Sequence, residues 1–320
     1  MEIEQLLPLL PWPVHDLRPV PGGYLHQTFR AESPEGPLFL KLYTGSDWPP
    51  EQVARSLTVQ QHLYQTGHPV PRVVTPVIPA GESVLAVMSF LPGSRIDQPG
   101  PGAARAAGEA LGRIHRELRS LPLTGGPALP DPEGVRERSL RLLAAAEARP
   151  APDEMDNLAV EAARFRLRWL EERPVDLALY NGEVAQVVHG DYYPGNLLFT
   201  APDVLSGIVD FDFVSVRFRG LEIARALVES ALRPDGRFDP ETAAAFLQGY
   251  LTQNALNLAE RRSGFRIWLE YLLGSLYPLP LRYTGAPLPH GWERLARRRH
   301  ELLLWLGAHL ADLERLAASI

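Results

Sequence analysis

Residues 189–196 read His-Gly-Asp-Tyr-Tyr-Pro-Gly-Asn, and residues 208–212 read Ile-Val-Asp-Phe-Asp. The first stretch stands between two apolar runs that are predicted as short strands. It contains Asp191 and Asn196, and Asp210 follows fourteen residues after Asn196. An aspartate can accept a proton, and the oxygens of asparagine and aspartate are hard ligands that suit Mg²⁺. The two stretches therefore combine a candidate base with two candidate metal ligands.

Phosphoryl transfer from a nucleotide needs such a set of groups. A carboxylate orients the attacking hydroxyl and takes its proton, and oxygen ligands hold magnesium on the phosphates. In kinases, the catalytic loop supplies this aspartate and an asparagine metal ligand, and a second aspartate on the next strand also binds magnesium. Asp191, Asn196 and Asp210 have this order and spacing.

The sequence resembles the aminoglycoside phosphotransferase family of the protein-kinase-like superfamily, which includes choline, ethanolamine and homoserine kinases. The family's loop reads His-Gly-Asp-x-x-x-x-Asn and its metal strand can read Asp-Phe-Asp, and both are matched here. The resemblance implies that Asp191 is the catalytic base and that Asn196 and Asp210 bind the metal. It also implies that His189 braces the loop and that Asp212 is an auxiliary group. ATP and Mg²⁺ are the implied cofactors.

Lys41 is the only lysine among 32 basic Lys and Arg residues, and it lies in the apolar stretch Phe39–Tyr43, which is predicted as a strand. An ammonium and a guanidinium are not interchangeable at a phosphate site. We therefore predict that Lys41 contacts the nucleotide phosphates. Kinases pair this lysine with a helix glutamate. The predicted helix over residues 51–66 has Glu51 as its only acid, so either Glu51 serves or the pair is absent or polar and neutral.

The stretch Pro21–Arg30 stands where the family has the loop that covers the phosphates, although it lacks a Gly-x-Gly-x-x-Gly pattern. Gly22, Gly23 and the hydroxyl of Thr28 are predicted to approach the phosphates. An ordinary hairpin turn is the alternative interpretation of this stretch.

The stretch from Ser83 to Phe90 is rich in β-forming residues and leads into Leu91-Pro92-Gly93. It resembles the strand and hinge that precede the large lobe in the family. The resemblance implies that backbone groups of Ser89 and Leu91 face the adenine.

The order of the predicted elements indicates an α+β fold with two lobes. Short β-like runs surround one helix in the first part of the chain, and the sequence becomes strongly helical after about residue 103. We predict a two-lobed protein-kinase-like fold with a small β-rich N-lobe at residues 1–91. A larger helical lobe is predicted at residues 92–320, with a β hairpin at the junction.

The composition narrows the possible functions. The chain has 320 residues, of which 45% are hydrophobic, enough for two lobes with a sizeable core. The absence of cysteine excludes disulfides and thiolate chemistry. A net charge of −6 argues against non-specific nucleic-acid binding. No apolar run approaches the roughly 20 residues of a membrane span, and no secretory signal is recognised, so we expect a cytoplasmic protein that has no membrane partner.

The favoured function is transfer of the ATP γ-phosphate to a hydroxyl of a small metabolite or antibiotic. A protein Ser/Thr kinase is one alternative, although residues 214–221 leave little room for an activation segment. A catalytically silent nucleotide-binding regulatory module is another, although such a module does not need a base and metal ligands together.

The segments after Asp212 mix acidic residues with arginines, which favours a small acceptor over a large polycation because no acidic surface is concentrated there. The last helix carries four clustered arginines: Arg294, Arg297, Arg298 and Arg299. We interpret this cluster as a solvated helix face, with a basic binding patch as the alternative.

Overall fold

The computed structural model describes residues 3–20, 26–45, 48–122 and 125–320. The first part of the chain forms a five-stranded antiparallel sheet of order β1-β2-β3-β5-β4, preceded by two short 3₁₀ turns at Ile3–Gln5 and Leu7–Leu9. The strands and the helix that follows β3 are β1 (His15–Pro19), β2 (Gln27–Glu32), β3 (Leu38–Thr44), α1 (Pro50–Gln65), β4 (Ile78–Ala80) and β5 (Ser83–Ser89).

The central strands β3 and β5 are covered on both faces, which explains their almost wholly apolar sequences. One face packs against an N-terminal cluster that contains Ile3 and Leu6. The other face packs against α1 through Val53 and Leu57. Because side chains alternate along a strand, Lys41 lies on the face that α1 covers.

The second part of the chain is mostly helical. Asp131, Asp153 and Asp239 cap the N-termini of three of its helices with their carboxylates, which satisfies backbone N–H groups that lack partners inside the helix. The helices are α2 (Pro101–Leu118), α3 (Pro132–Glu147), α4 (Glu154–Glu172), α5 (Arg219–Ala231), α6 (Pro240–Gln253), α7 (Leu258–Gly274), α8 (Leu281–Thr284) and α9 (Trp292–Ser319).

Glycines allow α2 and α6 to cross in close contact. A Cβ at Gly108 would lie 2.0 Å from the carbonyl oxygen of Phe246, and a Cβ at Gly249 would lie 2.3 Å from that of Arg105. Only glycine fits at both crossing positions. The middle of α2 also contacts the stretch 189–196, because the hydroxyl of Tyr192 donates to the carbonyl oxygen of Ala107.

Four short strands flank the stretches 189–196 and 208–212. They form two antiparallel pairs, β6 with β9 and the β7–β8 hairpin. Their bounds are β6 (Ala185–Val188), β7 (Leu197–Ala201), β8 (Val204–Ile208) and β9 (Ser215–Phe218). The loop 189–196 thus joins β6 to β7, and residues 209–214 join β8 to β9.

Asp210 lies beyond the end of a strand and not within one, because β8 stops at Ile208. Asp210 has a φ of 68°, in the left-handed region that aspartate tolerates better than most residues. This turn directs the Asp210 side chain toward Lys41 on β3.

The chain passes from β5 to α2 through residues 90–100, and a bridge between Ser94 and Phe199 ties this passage to the β7–β8 hairpin. The lobe boundary between residues 91 and 92 stays a prediction. Across the described ranges, no helix is long and apolar enough to cross a membrane.

Candidate active site

Asp191 lies in the loop between β6 and β7, and both of its carboxylate oxygens are held. Oδ2 accepts a hydrogen bond of 2.9 Å from Nδ2 of Asn196, and Oδ1 lies 2.7 Å from Nη2 of Arg225. Burial raises the pKa of Asp191, and the Arg225 guanidinium opposes this rise. The carboxylate is therefore oriented and a better proton acceptor than a free aspartate, as a general base requires.

Glu222, on α5, anchors the backbone at the start of the loop. Its carboxylate accepts hydrogen bonds from the backbone N–H of His189 at 3.2 Å and of Gly190 at 2.5 Å, and it lies 2.8 Å from Nε2 of His115. The side chain is only 2% exposed. Burial alone would raise the pKa of Glu222, but the contacts with His115 and the loop outweigh it and hold the pKa below its ordinary value. Glu222 is thus a buried anion that fixes the loop backbone.

His189 joins the loop to the segment after β8. Its Nε2 lies 3.1 Å from the carbonyl oxygen of Val209, and its Nδ1 accepts a hydrogen bond of 3.2 Å from the N–H of Asp191. The ring also packs on Phe211, with centroids 4.4 Å apart. These contacts match the bracing role that the sequence predicts, and the role itself stays a prediction.

Asn196 and Asp210 present oxygen atoms on the same side of the loop. Both amide hydrogens of Asn196 are used, on the carbonyl oxygen and on Oδ2 of Asp191, which leaves its Oδ1 for a cation. The Asp210 carboxylate is 38% exposed. The N–H of Val209 donates to the carbonyl oxygen of Asn196 at 3.0 Å, so the two ligand candidates are neighbours. One amide and one carboxylate fit Mg²⁺, which takes its other ligands from phosphates and water.

No group of three or more His, Asp or Glu side chains in the described part of the chain could hold a metal by itself.

Lys41 lies between two aspartates of the segment after β8. Its Nζ is 2.7 Å from Oδ1 of Asp210 and 2.6 Å from Oδ2 of Asp212, and its side chain is 8% exposed. Burial would lower the pKa of Lys41, but the two carboxylates outweigh it and raise the pKa, so the ammonium stays charged. The hydroxyl of Tyr43 donates to the other oxygen of Asp212 at 2.7 Å.

Glu51 does not pair with Lys41. It is exposed in the first turn of α1, and Gln60, a buried polar residue of this helix, donates to the carbonyl oxygen of Pro71. The acids beside Lys41 come instead from positions 210 and 212, which lie 169 and 171 residues away. The helix glutamate of kinases has no counterpart here.

The predicted phosphate-covering loop is described only in part, because Gly22 and Gly23 lie outside the described residues. Thr28 pairs with Lys41 across β2 and β3. Its hydroxyl donates to the carbonyl oxygen of Val20 at 2.8 Å, which closes the ends of the connection between β1 and β2. A contact between this hydroxyl and a phosphate stays a prediction.

The structure restricts which groups of the hinge could contact adenine. The N–H of Ser89 donates to the carbonyl oxygen of Arg72, and the Ser89 hydroxyl accepts from the N–H of Arg72, each at 2.9 Å. Any backbone contact of Ser89 with adenine would therefore use its carbonyl group. Leu91 is half-buried, with its side chain beside Gly207, and its role stays a prediction.

Sequence reasoning missed Arg225 and the anchoring role of Glu222. Arg225 also binds Glu229, at 2.8 Å, and its guanidinium lies over the ring of Tyr193. The one available signal is that a glutamate and an arginine interrupt the apolar stretch Leu221–Val228. Charged residues inside an apolar helix face need partners, and here the partners belong to the catalytic loop.

Lys41→Arg is expected to lower kcat/KM for ATP by about tenfold or more, although the charge is kept. The ammonium fills a narrow space between two carboxylates, and a planar guanidinium misplaces its donors there. Steady-state kinetics at several ATP concentrations measure the effect, and a thermal melt checks that the variant is folded. Wild-type kcat/KM in the folded variant contradicts a phosphate contact for Lys41.

Three comparisons relate this chain to known proteins. Residues 16–265 match the model of the phosphotransferase enzyme family, APH. A homoserine kinase of Methylobacillus flagellatus is 24% identical over 314 residues, which is 92% of each chain. A microcompartment-associated aminopropanol kinase has a similar structure, with a TM-score of 0.63 at 16% identity over 98% of each chain.

An amicoumacin kinase solved in complex with AMP-PNP, Ca²⁺ and Ami is also similar, with a TM-score of 0.61 at 16% identity. The similarity covers 90% of this chain and 87% of that chain. The structural likenesses confirm the predicted two-lobed protein-kinase-like fold. The family match spans most of the chain. This chain therefore belongs to the phosphotransferase enzyme family, whose members include ATP-dependent kinases of small molecules.

Proposed function

We propose that this chain transfers the γ-phosphate of ATP to a hydroxyl group of a small metabolite and that the reaction depends on Mg²⁺. One observation carries the proposal: Lys41 from the first part of the chain lies against Asp210, next to the loop in which Asp191 contacts Asn196. A backbone hydrogen bond from Val209 to Asn196 joins the two pairs. Together they supply the base, the metal ligands and the phosphate-binding cation that phosphoryl transfer needs.

Each residue has a distinct task in this proposal. Asp191 orients the acceptor hydroxyl and takes its proton as the oxygen bonds to the γ-phosphorus and the bond from that phosphorus to ADP breaks. Asn196 and Asp210 would hold Mg²⁺, which neutralises phosphate charge when it is bound. Lys41 turns from Asp210 toward the nucleotide phosphates, while Asp212 continues to orient its ammonium.

Two relatives and the volume of one cavity support a small acceptor. Homoserine and aminopropanol are the compounds in the names of two proteins that this chain resembles. The described residues also enclose a cavity of about 290 Å³ that is lined by α5, α7 and the segment before α3. This volume suits a metabolite better than a multi-ring antibiotic.

A broad acceptor screen for ADP release tests the function. Purified enzyme is incubated with ATP, with and without Mg²⁺, and with amino alcohols, hydroxy amino acids, sugars, aminoglycosides or a protein substrate. We expect saturable release with a small hydroxyl compound that stops when Mg²⁺ is removed. Turnover with the protein substrate alone, or with aminoglycosides alone, contradicts the proposed acceptor class.

Asp210→Ala is expected to weaken binding of ATP in the presence of Mg²⁺ by about tenfold or more, because a charged contact contributes about 1.5–3 kcal/mol. Without Mg²⁺ the variant should bind ATP at least as well as wild type, since a negative charge beside the phosphates is gone. Calorimetric titration at several Mg²⁺ concentrations measures both effects. Asp97→Ala, at an exposed position, is the control. An unchanged dependence on Mg²⁺ removes Asp210 from the metal site.

A further inference from the structure

Two arginines beside the catalytic loop have no carboxylate partner in the described parts of the chain. Arg217 donates to the hydroxyl of Ser215 at 3.0 Å and lies 3.4 Å from the carbonyl oxygen of Gly190. Arg299 donates to the hydroxyl of Ser275 at 2.8 Å, and its Nε is buried without a hydrogen-bond partner. Both guanidiniums therefore keep binding capacity for an anion.

The surroundings of these two arginines carry excess positive charge. Arg225 contacts Asp191 and Glu229, and Glu229 also lies 3.5 Å from Arg298. Arg225, Glu229 and Arg166 act electrostatically on Arg299. Arginines outnumber acids among these groups: Arg217, Arg225, Arg298, Arg299 and Arg166 against Asp191 and Glu229.

Arg299 is half-buried, and no carboxylate of the described residues contacts its guanidinium. Its removal from water lowers the pKa of Arg299, and the neighbouring Arg225 lowers it further. A buried cation without an anionic partner is unfavourable, and a bound anion relieves this cost.

The position of Arg299 is fixed by a buried frame. Arg166 on α4 donates to the carbonyl oxygens of Leu273 and Ser275 at the end of α7, each at 2.9 Å. Ser275 in turn accepts from Arg299. Arg299 therefore departs from the solvated helix face that the sequence predicts for its cluster, since it is half-buried against α7.

The 290 Å³ cavity adjoins the same two arginines. Tyr271 and Ser275 belong to its wall. The ring of Tyr271 lies 5.1 Å from the Arg217 guanidinium, and Ser275 contacts Arg299. The two guanidiniums therefore contact residues of the cavity wall, Tyr271 and Ser275.

We propose that this side of the catalytic loop is the acceptor site and that the acceptor is an alcohol carrying an anionic group, a carboxylate or a phosphate, bound by Arg217 and Arg299. The inference rests on the proposed function, because it names the substrate class of that reaction. Guanidiniums bind both kinds of anion through paired N–H donors. An acceptor that is purely cationic meets net repulsion at this site.

Calorimetry with matched pairs of alcohols tests the site without turnover. Wild-type protein with Mg²⁺ and AMP-PNP is titrated with L-homoserine and 3-amino-1-propanol, which differ by a carboxylate, and with glycerol 3-phosphate and glycerol. In at least one pair, we expect the anionic member to bind about tenfold tighter or better, as one charged contact implies. The pair that shows the preference identifies carboxylate or phosphate as the recognised group.

Arginine variants then test which residues cause the preference for the anionic alcohol. Arg299→Met and Arg217→Met should each reduce it severalfold or more. Arg297→Met, on the same helix but paired with Glu154 at 2.8 Å, should leave it unchanged. Thermal melts identify a variant that fails to fold, and Arg299→Lys replaces Arg299→Met in that case. Equal binding within both pairs, or an unchanged preference in the folded Arg217 and Arg299 variants, overturns the proposal.

Wild-type turnover separates this inference from the proposed function. Phosphorylation of cationic alcohols that depends on Asp191, with no turnover of anionic ones, overturns the acceptor class and leaves the function standing. Binding of an anionic alcohol through Arg299 without any transfer of phosphate overturns the function and leaves the site standing.

Discussion

Replacement of Asp191 by asparagine is expected to lower kcat for phosphotransfer by about 10²–10⁴-fold, the usual contribution of a general base. Asparagine has the same shape and can keep the contact with Asn196, but it cannot take the proton of the acceptor hydroxyl. ADP release measures kcat, and calorimetric titration with ATP and Mg²⁺ measures nucleotide affinity. The affinity should stay within a few fold of wild type.

Asp97→Asn serves as the matched control because this aspartate is exposed and belongs to neither of the stretches 189–196 and 208–212. A folded Asp191→Asn enzyme that retains near-wild-type kcat removes Asp191 from the mechanism. A large loss of ATP affinity with unchanged kcat instead assigns Asp191 to the nucleotide site.

Glu222→Ala is expected to lower the free energy of unfolding by about 3–5 kcal/mol, because several buried groups lose their partner and each such loss costs about 1–3 kcal/mol. The variant leaves His115 and the N–H groups of His189 and Gly190 without their shared acceptor. Urea unfolding followed by circular dichroism measures the loss. Glu301→Ala, at an exposed position of α9, should change the free energy by less than about 0.5 kcal/mol.

The contribution of Glu222 should also depend on pH. Its pKa is lowered in the folded protein, so its stabilising contribution is complete above the ordinary glutamate pKa of about 4.3. It is lost as the pH falls through the folded-state pKa. The difference in unfolding free energy between wild type and Glu222→Gln should therefore shrink in acid. A difference that stays constant from neutral to acidic pH contradicts an ionised Glu222.

The catalytic loop was predictable because its information is local. Asp191 and Asn196 are five positions apart in one turn, and the amide of one contacts the carboxylate of the other. The general order of strands and helices followed from apolar periodicity in the same way. These features depend on short-range spacing, which a sequence displays directly.

The partners of Lys41 were not predictable, because they depend on how the two lobes face each other. The sequence offered Glu51 on α1, yet the acids at positions 210 and 212 approach the ammonium from the segment after β8. The burial of Arg299 was hidden for the same reason. Consecutive arginines on a helix look alike until the packing of α7 against α9 distinguishes them.

The pairing of Lys41 with Asp212 has a consequence for regulation. Protein kinases are switched by movement of the helix that carries the partner of this lysine, and outward displacement of the helix breaks the pair. In this chain α1 supplies no such partner, and the acid that orients Lys41 stands two residues from a proposed metal ligand. Displacement of α1 alone breaks no ion pair of Lys41, because His62 of this helix pairs with Glu117 on α2 instead. We therefore expect a shift of α1 to leave the orientation of the Lys41 ammonium unchanged.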